Sequence, residues 1–536
     1  MEKVHSEKFD SVLTEIKLTC EKLLLDKKLL TKEQLDQGHK LFSQKFGPDV
    51  LKGLDGEPLL NTMFNIGNRD GLTYWLEFKN DEDFRTSDYG GILGGSAYKY
   101  VMFKRNLDEK WVTGNPQKPE ILSLDEAISL SRELRDTLIY GSDIIKQFSS
   151  KNMGIDEYKK LQKLFDDNMK YNMHRLGWVH KYFHMIYPDV IDDFHSAKWQ
   201  RHALICCGIT PAKEDNLYEM AGYFRLIAER CEMPIKHVTA AITELYGFPV
   251  NYYRIGTGDS GKSYWFDMSV NSYVAVGWSD LGDLNSYSES RNMRNDIQEQ
   301  LIKLYKYDNR TASIKAGEII RFYNSIEIGD IVVAVSGEKV YGIGKVSGNY
   351  EYVKDRPYSH CRNVDWIKIF KEAIKLPKPS AGIRTSCFPY RDIENIMEIN
   401  RLMNDENIKG DDKSKISLPL LTGMVAEIGK VLDRKMQVIL YGPPGTGKTY
   451  YAEKACCELA SRNIFRKTFS SLSEDEKNTI LGDGRTYGVV RMCCFHPSYG
   501  YEDFIEGIKP RVSNNQTVFD LKDGIFKKIC SDALKE

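Results

Sequence analysis

Gly442-Pro-Pro-Gly-Thr-Gly-Lys-Thr449 lies between the apolar stretch Met436-Gln-Val-Ile-Leu-Tyr441 and the run Thr449-Tyr-Tyr-Ala-Glu-Lys-Ala-Cys-Cys-Glu-Leu-Ala460. It matches the phosphate-binding pattern G-x-x-x-x-G-K-[ST] at every fixed position. The flanks predict a short buried strand before the loop and a helix after it. In that setting glycines let backbone N–H groups converge on a β-phosphate without Cβ clashes. The helix N-terminus adds its dipole at the same point. Lys448 is then expected to reach the β- and γ-phosphates, and the Thr449 hydroxyl to ligate Mg²⁺. The nucleotide-binding residues expected from the pattern are Gly442, Pro443, Pro444, Gly445, Thr446, Gly447, Lys448, Thr449 and Tyr450.

Working outward, 536 residues are too many for one core and suggest about three or four domains. Lys and Arg number 75 against 76 Asp and Glu, a formal charge of −1. Any nucleic-acid contact must therefore come from a local basic patch, since the whole chain has no basic footprint. Six of the eleven cysteines fall in adjacent pairs and none forms a CxxC, which fits reduced thiols and not zinc ligands. The N-terminus is charged from the start, and no stretch approaches the roughly 20 apolar residues of a membrane span. A soluble, cytoplasmic protein with no membrane contact is expected.

Residues 1–249 read as a mixed α+β, largely helical region. Thr31-Lys-Glu-Gln34 and Ser123-Leu-Asp-Glu126 are capping boxes that open helices. Leu72–Phe78 and Tyr98–Lys104 are aromatic and β-branched enough to predict strands. Gly90-Gly-Ile-Leu-Gly-Gly-Ser96 between them resembles a phosphate cradle, but it runs into a predicted strand and not a helix, so it reads as a turn. His180 and His184 have the i, i+4 spacing of a metal pair, yet Lys181 stands where a metalloprotease would carry glutamate. Packing of aromatic helices is the expected role of these histidines. Residues 250–371 are β-rich, with a hairpin predicted from Ile328–Val335, a turn at Ser336–Lys339 and a return along Val340–Val346. Residues 372–412 are expected to be a linker, and 413–536 hold the nucleotide loop.

The form GPPGTGKT resembles AAA+ ATPases, and the C-terminal sequence narrows the likeness. Cys494-Phe-His-Pro-Ser-Tyr-Gly-Tyr-Glu-Asp-Phe-Ile-Glu-Gly-Ile-Lys-Pro510, with Phe519 and Asp523–Cys530, resembles the McrB family. Its members are nucleotide-driven motor subunits of restriction systems that cut modified DNA. The resemblance implies GTP or ATP with Mg²⁺, ring self-assembly, modified DNA as target and a separate McrC-like nuclease subunit. It also implies that the acidic Mg²⁺-side strand, the sensor and the arginine finger lie beyond Glu536. Hydrolysis by this chain alone is therefore not expected.

Tyr264-Trp265, Val274-Ala-Val-Gly-Trp278, Ile328-Gly-Asp330 and Tyr341–Val346 resemble an EVE-type domain of the PUA/YTH group. That resemblance implies a small β-barrel binding a modified base, with Trp265 and Trp278 as walls of a cage and Lys339, Lys345, Arg356 and Arg362 on phosphates. The competing reading makes both tryptophans barrel core. The N-terminal region resembles the variable parts that precede such motors, which implies target recognition or partner docking. The expected fold is a multidomain α/β chain: a mixed α+β N-terminal region, a small EVE/PUA-like barrel, and the first part of a P-loop AAA+ domain. The alternative functions are a non-enzymatic nucleic-acid reader whose AAA+ remnant serves assembly, and a protein remodeller.

Overall fold

The computed structural model describes residues 7–533 except 93, 106, 150–152, 213–214, 260–261, 289–291, 355, 357, 380–384, 406–420, 436, 466, 484–485, 494, 496–498 and 514–515. The chain divides into two compact units, Met1–Gly410 and Asp411–Glu536. No helix among the described residues is long and apolar enough to cross a membrane.

Local chemistry sets the helices of the first unit. Gln34 N donates to Thr31 Oγ1 at 3.3 Å and Thr31 N to Gln34 Oε1 at 2.9 Å, opening the helix Lys32–Phe46 as expected. The Ser123–Glu126 box opens Leu124–Ser149 in the same way. Leu72–Glu77, expected as a strand, is a helix. Leu72, Trp75 and Leu76 are buried there at i, i+3 and i+4, a spacing that only a helix presents to one core. The second predicted strand shrinks to β1 (Met102–Lys104), because Ala97–Tyr100 is a 3₁₀ turn capped by Ser96. β1 pairs antiparallel with β2 (Trp111–Asn115), and β2 with β3 (Lys118–Leu122).

The described residues of the glycine-rich stretch Gly90–Ser96 lie in no helix or strand, and the polarity there is opposite to that of an anion cradle. Lys99 Nζ donates to the carbonyls of Ile92 and Gly94, and Lys181 Nζ to that of Gly90. His180 and His184 are fully buried on the helix Gly177–Ile186. Among the described residues no group of three or more His, Cys, Asp or Glu could hold a metal ion.

The second half of the first unit is built on a six-stranded sheet in the order β11-β4-β8-β9-β10-β7. Its strands are β4 (Tyr252–Gly256), β7 (Tyr273–Val276), β8 (Ile331–Ser336), β9 (Lys339–Tyr352), β10 (His360–Ile374) and β11 (Cys387–Pro389). A separate two-residue ladder joins β5 (Gly258–Asp259) to β6 (Lys262–Ser263). Among the described residues only β4 and β8 pair in parallel. The expected hairpin is present: Ser336 pairs with Lys339 across a turn in which Gly337 has φ 59°. Register shifts between Arg362 and Val364 and between Trp366 and Lys368 let the long β9–β10 pair curl. The curl brings β7 against β4. A closed barrel is not formed by pairing among the described residues, since β11 and β7 stand at opposite edges of the order.

Residues 372–412, expected as a linker, instead hold the end of β10, all of β11 and the helix Ile393–Asn404. Ile399 and Leu402 of that helix join the core formed by Val333, Val335 and Ile343. Proline and charge marked the turns of this segment and hid a docked edge strand.

In the second unit the helices Gly423–Lys435 and Lys448–Phe465 pack through Val425, Ile428 and Ala455. Residues 437–441, expected as a strand, make no ladder among the described residues. Val438 and Leu440 face the helix pair, whereas Ile439 is 92 % exposed and Tyr441 98 %. A strand of a parallel sheet needs paired neighbours and cover on both faces, and here one face alone is covered. β12 (Glu506–Ser513) and β13 (Gln516–Asp523) form a hairpin followed by the helix Ile525–Ala533, whose Phe526 stacks on Phe504 at 5.1 Å. Of the motif Cys494–Pro510, residues 494 and 496–498 lie outside the described residues.

Candidate nucleotide site

The loop from Gly442 leads straight into the helix Lys448–Phe465, as expected from the pattern. Gly445 and Gly447 have φ 81° and 79°, a backbone region that a Cβ strains. At Gly447 a Cβ would also press on the Tyr451 ring at 3.3 Å, while at Gly445 the space is open. Thr446 Oγ1 donates to the Pro443 carbonyl at 2.9 Å and fixes the turn. Lys448 Nζ donates to the carbonyls of Gly442 at 2.8 Å and Pro443 at 2.6 Å, so its ammonium is folded back across the loop.

The first turn of this helix presents unsatisfied N–H groups toward the loop, the feature that anions use. Pro444, Gly445, Thr449 and Tyr450 are exposed and reachable by a ligand. Tyr450 lies 5.2 Å from Tyr451, with Lys454 Nζ 5.5 Å from its ring centroid. A loop bare of Cβ at its turning points, a lysine held at its mouth and an exposed threonine one position on fit a Mg²⁺-nucleotide.

The residues expected to read a base are dispersed. Trp265 starts the short helix Trp265–Val270 and packs edge-on against Trp366 at 4.9 Å, beside Met268, Tyr273, Ala275 and Cys361. Gly342 on β9 makes the room, since a Cβ there would sit 2.5 Å from the indole. Trp278 joins other clusters, between the sheet and the helices Met293–Tyr305 and Asn309–Ile320. Among the described residues no ring contact joins the two tryptophans.

Trp278 is half-buried with φ 70° and ψ 38°, a conformation that a bulky side chain rarely adopts. His360 bridges Tyr350 Oη at 2.8 Å and the Trp278 carbonyl at 3.1 Å, Tyr307 Oη lies 3.4 Å from the indole nitrogen, and Lys315 stands 5.8 Å from the ring. The tyrosines and His360 carried no pattern in sequence, because three separate segments supply them.

Of the four expected phosphate contacts, Lys339 and Lys345 are exposed. Arg356 stacks on Tyr273 at 4.0 Å. Arg362 is 4 % exposed and donates to the carbonyls of Phe322 at 2.9 Å and Tyr323 at 2.6 Å. It closes the end of a helix and cannot face a phosphate, which corrects the expectation for that residue.

Comparison with known proteins bears on both halves. Residues 438–491 match the ATPase family associated with various cellular activities (AAA). Residues 253–380 match a domain of unknown function, DUF8426. Over 112 residues the chain is 33% identical to the type IV methyl-directed restriction enzyme EcoKMcrB subunit of Escherichia coli (strain K12). The chain is thus similar to AAA ATPases over residues 438–491 and to an McrB subunit over a 112-residue stretch. The match covers 21% of this chain and 19% of that relative, so the chain spans about a fifth of its length. No solved structure matches.

Proposed function

We propose that this chain is a cytoplasmic, nucleotide-binding subunit of a restriction system directed at modified DNA, working with a separate nuclease subunit and assembling through its AAA segment. The observation that carries this reading is the phosphate loop, with Lys448 at its mouth and Thr449 beside it, inside the segment that matches AAA ATPases, in a chain similar in part to an McrB subunit. Lys448 would exchange the Gly442 and Pro443 carbonyls for β- and γ-phosphate oxygens, and Thr449 would ligate Mg²⁺. The bound ion would neutralise charge between those phosphates. Whether the nucleotide is GTP or ATP depends on base contacts outside the loop.

In the same reading, residues 250–405 form an EVE-like reader of a modified base, with Trp278 as the ring that a base would meet. Its αL backbone supports this choice, because such strain persists where surroundings hold it for a purpose. Trp265 is assigned to the core. Anisotropy titration of the full chain with a methylated duplex and its unmodified twin tests the assignment. Trp278→Ala should weaken binding of the methylated duplex about tenfold, the lower end of a base–aromatic stack, while the variant still melts cooperatively. Trp265→Ala should instead cost about 2 kcal/mol of stability, below the 3–5 of a fully buried indole. Equal affinity for both duplexes would remove the reader from the proposal and leave the nucleotide site standing.

A further inference from the structure

A cleft of about 460 Å³ opens in the first unit between its helical part and its sheet. The helix Ala197–Cys206 supplies Lys198, Arg201 and His202 to one wall, while Arg321 and Arg391 come from the opposite side. No carboxylate lines it. Asp215 reaches Arg201 at 2.6 Å from a more exposed position, and Arg321 gives one donor to the Cys387 carbonyl at 2.8 Å. Lys198 and Arg391 are exposed and make no ion pair or side-chain hydrogen bond among the described residues.

Four permanent cations with one carboxylate between them repel one another around a concavity. Such an arrangement focuses positive potential, and a chain of net charge −1 does not produce it by excess of base. The volume exceeds what a lone phosphate needs and falls among those of small-ligand pockets. The walls between the cations are Val250, Tyr252 and Tyr390, which offer apolar surface to a nucleoside.

We propose that this cleft binds the phosphate of a nucleotide, either free or within a nucleic-acid strand. The guanidiniums supply forked donors suited to phosphate oxygens, and Lys198 a mobile point charge. The site is separate from the phosphate loop, which belongs to the other unit. It does not use Trp278, so it and the base-reading proposal can fail independently.

The test uses the full chain carrying Lys448→Ala, which silences the loop. Binding of a labelled single-stranded 12-mer and of a labelled mononucleotide is measured by anisotropy against salt. Lys198→Glu with Arg391→Glu should weaken binding at least tenfold and lower the log–log salt slope for the strand by about 1.4, or about 0.7 for each lost phosphate contact. A control pair, Lys163→Glu with Lys303→Glu, makes the same change in net charge at exposed sites elsewhere and should leave both nearly unchanged. All four side chains are exposed, and an unchanged melting temperature confirms that each variant is folded. Displacement of the strand by mononucleotide identifies free nucleotide as a source, and binding of the strand alone identifies the nucleic-acid backbone. Absence of binding by both probes, or equal weakening by the two pairs, overturns the proposal.

Discussion

Acidification from pH 7 to pH 4 should unfold the first unit cooperatively, with a stability slope of roughly 3 kcal/mol per pH unit. Its helical core encloses His39, His180, His184 and His195. His180 Nδ1 lies 3.1 Å from His195 Nδ1, and the other ring bonds run to the carbonyls of Met185, Ile191 and Tyr89. Burial holds all four imidazoles below their ordinary range, His39 and His180 at about 3. The unfolded chain titrates near 6.5, so between about pH 6 and 4 it binds about three more protons, at His39, His180 and His195, and His184 adds in the same direction. The stability they confer is complete above pH 6.5 and is lost as pH falls.

Asp192 opposes this trend. Burial raises its carboxyl to about 7, so the folded state holds one extra proton across the same window. About two net protons remain, at about 1.4 kcal/mol each per pH unit, with His184 adding to them. Lys181, pushed down to about 7 by burial, titrates above the window and lowers stability only as pH falls from about 10 toward 7. Since domains hold about 5–15 kcal/mol in total, two pH units suffice. Near-UV circular dichroism and guanidinium melts of the full chain read the effect. A stability independent of pH from 7 to 4 would show that these histidines titrate freely and are not buried as described.

What was legible in the sequence was local. Capping boxes at Thr31 and Ser123, the two-residue turn at Gly337-Glu338 and the phosphate loop each fix their geometry within a few residues, and each appears where the pattern placed it. The packing role of the histidines was also legible, since His180 and His184 are buried on one helix and Lys181 between them bonds Thr86 and the Gly90 carbonyl.

The rest depended on partners distant in the chain. Leu72–Glu77 has strand composition but takes the helix that buries Leu72, Trp75 and Leu76 together. Arg362 reads as a phosphate contact until the fold brings the Phe322 and Tyr323 carbonyls to it across forty residues. β11 is three residues long and becomes a strand only by pairing with β4. The basic cleft joins segments near residues 200, 250, 321 and 390, and no window of sequence contains it.

Lys448→Ala should lower Mg²⁺-nucleotide affinity about a hundredfold, the worth of one strong charge-assisted contact of nearly 3 kcal/mol. The ammonium already sits at the loop mouth on the Gly442 and Pro443 carbonyls, so phosphate oxygens need only replace these acceptors. Alanine removes the charge while leaving those carbonyls within reach of water, since Pro443 is exposed and Gly442 half-buried. The loss should therefore appear in binding and not in the melting temperature. Lys448→Arg should fail to restore affinity, because a planar guanidinium does not fit where a compact ammonium turns back over its own loop.

Thr449→Ala separates metal from phosphate. Its affinity with Mg²⁺ should fall to the value the unaltered chain shows in EDTA, and EDTA should change it no further. Titrations with fluorescent GTP and ATP analogues on the full chain measure all three variants and reveal which base is preferred. An unaltered affinity in Lys448→Ala would mean that the nucleotide is held elsewhere, and the loop would then be a structural turn that opens the helix Lys448–Phe465.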